Sequence, residues 1–78
     1  MPRLTPVDWR ILVKVFEADG FQRNRTKGSH LIMTKTGVWR PVVIPMYDEV
    51  MPDIIMSNMR TAGMSRERYF ELLGKVSS

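Results

Sequence analysis

The 78-residue chain has no cysteine, which excludes a disulfide framework and any thiolate metal site. It has a single histidine, and with carboxylates scattered along the chain no zinc cluster of ordinary spacing can be drawn. Neither a metal nor another cofactor is expected. No apolar stretch approaches the roughly 20 residues that span a bilayer, and the first residues lack a signal-peptide hydrophobic region. A cytoplasmic protein without membrane contact is therefore expected. Internal repeats, linkers and low-complexity segments are also missing, so residues 1–78 are expected to form one domain. A chain of this length buries only about 60% of its unfolded surface, which leaves room for one small core.

Negative charge is missing where it matters most. Twelve Lys and Arg against eight Asp and Glu give a net charge of only +4, yet the charges are segregated. Between Gly20 and Tyr47 stand Arg23, Arg25, Lys27, Lys35 and Arg40 with no acidic residue, and Asp48, Glu49 and Asp53 follow directly. A cationic block of this kind favours a polyanion through phosphate contacts and counterion release. The plainer reading is a solvated basic strand surface.

The pattern of apolar residues gives an α+β order. Thr5-Pro6 followed by Asp8 reads as a helix start, with Thr5 as N-cap and Pro6 in the first helical position. Val7, Ile11, Leu12, Val15 and Phe16 then form one apolar stripe, which should end at Asp19-Gly20. From Phe21 onward, β-branched and aromatic residues alternate between turn signals at Lys27-Gly28 and Thr36-Gly37. Three antiparallel strands are predicted over residues 21–25, 29–35 and 38–44. Pro41 and Pro45 cannot donate to a ladder, so the third strand should be an edge or be bulged near Pro41. Met51-Pro52 opens a helix over residues 52–62 that Gly63 closes, and Ser65 caps a further short helix containing Tyr69, Leu72 and Leu73. Helices on one face of a small sheet leave the other face free. An open face or turn carrying Arg25, Lys27, His30 and Lys35 is a place to lay an RNA strand.

Within the cationic block lies Gly28-Ser29-His30, which holds the one histidine. An imidazole both accepts and donates a proton near neutrality without special tuning. RNA carries its own nucleophile, the 2′-hydroxyl, so cleavage needs proton transfer and charge stabilisation rather than a metal. These residues fit a reading in which His30 moves the proton and Arg25 and Lys27 hold the phosphate. Gly28 would supply a positive φ or a close backbone approach, and Ser29 would orient phosphate or imidazole. A surface or structural role for His30, and an ordinary strand role for Ser29, are equally open from the residues alone. Trp39 and Tyr47 offer stacking surfaces for unpaired bases, and core packing is as open for Trp39.

Four blocks carry a resemblance: Ala18-Asp19-Gly20-Phe21; Arg25 with Lys27-Gly28-Ser29-His30; Val43-Ile44-Pro45; and Arg60-Thr61-Ala62-Gly63-Met64-Ser65. In order and spacing they resemble the HicA toxins, also called YcfA-like proteins, over nearly the whole chain. The resemblance implies a fold like the double-stranded-RNA-binding domain, an mRNA-cleaving endoribonuclease activity, and neutralisation by a HicB antitoxin. It implies that His30 is catalytic and that the HicB-like partner covers it, while Arg25, Lys27, Gly28, Ser29 and Lys35 are the RNA-binding set expected from the residues themselves. One departure stands out. Many relatives carry a second histidine after the valine-x-proline element, where this chain has Met46-Tyr47-Asp48. The rival expectations are a non-catalytic RNA-binding module of the same fold, and a toxin that retains only its antitoxin contact.

Overall fold

Asp8 starts the first helix. In the computed structural model, which describes residues 3–77, helix α1 (Trp9–Ala18) begins where the Asp8 carboxylate accepts the Arg10 backbone N–H at 2.8 Å. The expected cap at Thr5 is overturned by a long-range contact. Val7 and Val50 exchange backbone hydrogen bonds of 3.1 and 2.7 Å in an antiparallel bridge, which holds Val7 extended and delays the helix by one turn. The buried stripe of α1 is Leu12, Val13, Val15 and Phe16, while Val7 and Ile11 are half-buried. The helix stops at Asp19, and Gly20 follows with φ 101°. A Cβ at Gly20 would also stand 3.2 Å from the Lys35 stem, so both backbone and space favour glycine.

Strands β1 (Gln22–Lys27), β2 (His30–Lys35) and β3 (Val38–Pro45) form one antiparallel sheet in that order, joined by two-residue loops. The edge position expected for β3 is present, and so is the irregularity expected near Pro41. Met33 pairs with Val42 and Lys35 with Val38, so Trp39, Arg40 and Pro41 lie opposite Thr34 alone. The first hairpin has its own bulge: Arg23 pairs with Met33 and Arg25 with Ile32, which leaves Asn24 unpaired. Leu31, Met33, Val42 and Ile44 are buried with α1, whereas His30 and Val43 are exposed and Ile32 is half-exposed.

Helix α2 (Pro52–Ala62) has the bounds that Met51-Pro52 and Gly63 predict, and Gly63 is left-handed at φ 67°. It lies against β3. Ser65 caps helix α3 (Arg66–Val76) by accepting the Arg68 N–H at 3.0 Å. Expected as a further turn or short helix, α3 has 11 residues, as many as α2, and packs on α1. Its Tyr69 and Leu72 join Phe16, Phe21, Ile55 and Met59 in a single core. Phe16 and Phe21 meet edge to face at 5.6 Å, a favourable ring geometry. The α+β arrangement is thus the one the sequence led to: helix, three-stranded antiparallel sheet, then C-terminal helices.

Candidate active site

The loop Gly28-Ser29 builds the site. Its first residue has φ 59° and its second has no positive φ, the pattern of a type II′ turn, whose twist matches that of the flanking strands. Glycine is the residue that takes this conformation without strain. The turn pairs Lys27 directly with His30. Directly opposed residues project to the same side with Cβ atoms about 4.5–5.5 Å apart, so an ammonium stem stands beside the imidazole. On the other side His30 pairs with Pro45, and the ladder closes where Met46 N–H donates to the Ser29 carbonyl at 2.8 Å.

The bulge at Asn24 decides which cations face His30. By simple alternation Arg23, Arg25 and Lys27 would share one side. The extra residue breaks that parity. Arg23 pairs with buried Met33 and lies on the α1 side, with Nε 3.4 Å from Glu17. Arg25 pairs with Ile32 and Lys27 with His30, so both stand on the open side. Both are exposed, and neither has an ion-pair partner among the described residues.

Lys35 does not join them. It shares the parity of Leu31 and Met33, and its Nζ lies 3.6 Å from Asp19 and 5.6 Å from the Phe21 ring centroid. The expectation that Lys35 shares an open face with His30 is therefore corrected: alternation along β2 turns it toward α1. Asp19 also binds Arg68 at 3.3 Å. Hydrogen bonds donated by Arg68 to Glu71 first, then to Asp19, hold its guanidinium above its ordinary pKa.

His30 opens onto a groove of about 490 Å³ between β3 and α2, lined also by Val43, Pro45, Tyr47, Ile54 and Asn58. That is within the ~300–1,000 Å³ typical of ligand sites. The Tyr47 ring lies 6.5 Å from His30 in an edge-on arrangement. Its backbone carbonyl accepts the Trp9 N–H at 3.1 Å, which ties this loop to the start of α1. Tyr47 thus occupies the place beside the imidazole to which the departure after the valine-x-proline element had drawn attention. Asp53 is a carboxylate at the groove, and it sits in the first turn of α2, where a negative charge is favoured by the helix dipole. Asn58 was not legible beforehand. It is 6% exposed, and its Nδ2 has no hydrogen-bond partner among the described residues. An asparagine in mid-helix carries no sequence signal of that kind. Trp39, for which core packing was an option, is 86% exposed.

Fold and site together define a small α+β domain that presents one hairpin histidine and two unpaired cations on an open sheet face. The family model described as HicA toxin of bacterial toxin-antitoxin matches residues 9–64. The chain belongs to that family: it is a toxin of a toxin–antitoxin system, with an antitoxin as its partner. No curated protein and no solved structure matches the chain significantly. No helix among the described residues is long and apolar enough to cross a membrane.

Proposed function

We propose that this toxin is a metal-independent endoribonuclease that cleaves mRNA with His30 as its proton-transferring residue. The observation that carries the proposal is the hairpin geometry: an exposed imidazole opposite Lys27, with Arg25 on the same side and no carboxylate neutralising either cation. Phosphate bound by Arg25 and Lys27 brings the adjacent 2′-hydroxyl toward His30. The imidazole takes the hydroxyl proton as the 2′-oxygen attacks phosphorus, the bond to the 5′-oxygen breaks, and that oxygen takes a proton from solvent water. The products are a 2′,3′-cyclic phosphate and a 5′-hydroxyl. A positioned general base contributes about 10²- to 10⁴-fold, and charge on the phosphorane is met by the two cations. Gly28 supplies the positive φ of the turn, 59°, with open space around it, and Ser29 supplies a hydroxyl beside the phosphate path. The Tyr47 ring takes the place of the second histidine of many relatives and borders the leaving-group side of the groove.

The antitoxin, in this reading a HicB-type protein, silences the toxin by placing an acidic surface over His30, Arg25 and Lys27. Charge complementarity favours that placement, and steric closure alone then blocks RNA. Expression of the wild type without antitoxin should arrest bacterial growth with loss of mRNA, and His30→Ala should do neither. Growth arrest that persists in His30→Ala would refute the assignment. Folded wild type that leaves mRNA intact would favour the non-catalytic RNA-binding reading.

A further inference from the structure

Trp39 projects from the irregular segment of β3 with 86% of its surface in water. The Arg40 guanidinium lies 5.1 Å from the centre of its ring. Around it is a shallow hollow lined by Gly37, Arg40, Arg60, Thr61 and Gly63, with no carboxylate among the lining residues. Thr61 also lines the His30 groove, so hollow and groove form one seam between β3 and α2. Along α2 this seam runs from Asp53, the one carboxylate lining it, to Gly63, about 15 Å at about 1.5 Å of rise per residue. Midway along it sits Asn58, with its unpartnered amide nitrogen.

We infer that this seam is a track for an unpaired RNA strand, with Trp39 as a stacking platform for a base remote from the bond cleaved at His30. The inference rests on the ribonuclease reading and adds the substrate's path. The Trp39 hollow favours a single strand. An exposed indole flanked by two arginines offers a stacking face and phosphate contacts together. Stacking on it requires a base that is not already paired.

The test uses the His30→Ala protein, so that RNA stays intact, with Trp9→Phe added to leave Trp39 as the one indole. A single-stranded heptauridylate should quench Trp39 fluorescence saturably, and a blunt RNA duplex should not. Trp39→Ala in the His30→Ala background should weaken heptauridylate binding by roughly 5- to 150-fold, the effect of losing one stacked base. Trp39→Phe should restore most of that loss, and duplex affinity should not change. Since Trp39 is almost fully exposed, melting curves of the variants should coincide. Unchanged heptauridylate affinity in Trp39→Ala, or equal quenching by duplex, overturns the track. So does a variant that loses only antitoxin binding, because Trp39 would then be a protein contact. Cleavage by the wild type is read separately: its absence removes the ribonuclease reading, while its presence with unaltered Trp39→Ala binding removes the track alone.

Discussion

The two sides of the sheet treat their cations in opposite ways. On the side of α1, each strand cation has a carboxylate: Arg23 with Glu17 and Lys35 with Asp19, the latter also holding Arg68. On the open side, Arg25 and Lys27 flank His30 with no ion-pair partner among the described residues. One side uses charge to fasten helices to the sheet, and the other leaves charge available to a ligand. A single unpaired residue, Asn24, separates them, because it reverses the side-chain parity of β1 between Arg23 and Arg25.

The largest effect that would break this contrast is at His30 itself. His30→Ala should lower the rate of mRNA cleavage by about 10²- to 10⁴-fold with no change in Tm, because the side chain is exposed. Next come the cations. Lys27→Ala and Arg25→Ala should each weaken RNA binding and reduce the slope of log affinity against log salt by about 0.7, one phosphate contact on a single strand. Lys35→Ala should leave that slope unaltered, and fluorescence anisotropy across a salt series distinguishes the two sides.

Asp19→Ala then probes the fastening side. Its side chain is 13% exposed and holds two cations, and partly exposed pairs contribute about 0.2–1 kcal/mol each. A loss of about 1 kcal/mol, or about 4–8 °C in Tm for a domain of this size, should appear in thermal melts while cleavage is retained. The smallest effect is at Tyr69, whose buried hydroxyl lacks a partner among the described residues and whose pKa burial raises above its ordinary value near 10. Below pH 10 the phenol is neutral folded and unfolded, so Tyr69→Phe should be neutral or mildly stabilising. As pH rises past 10 the unfolded chain releases the proton first, so wild-type stability falls. Tyr69→Phe should flatten that alkaline decline in denaturant titrations.

Much of this architecture was legible because strong punctuation marks it. Met51-Pro52 and Gly63 bound α2 to the residue, and Lys27-Gly28 and Thr36-Gly37 locate both hairpins. Asp8 rather than Thr5 caps α1 because Val7 answers to Val50, 43 positions away, and no local pattern carries such a pairing. Alternation along β2 already places Lys35 with Leu31 and Met33, yet the unbroken run of cations from Arg23 to Arg40 hides the division between sides. The bulge at Asn24 has no signature in an all-polar strand. Tyr47 stood out as a stacking aromatic, and the family resemblance added its place in the position of a second histidine, whereas nothing marked Asn58, since its burial depends on how α2 meets β3.

The most direct test of the account is the chemistry of the cut ends. Purified wild type, incubated with mRNA in excess EDTA, should leave 2′,3′-cyclic phosphate and 5′-hydroxyl termini, and His30→Ala should leave the RNA whole. Termini carrying 5′-phosphate, or cleavage that vanishes with EDTA, would contradict a histidine acting on the RNA's own 2′-hydroxyl.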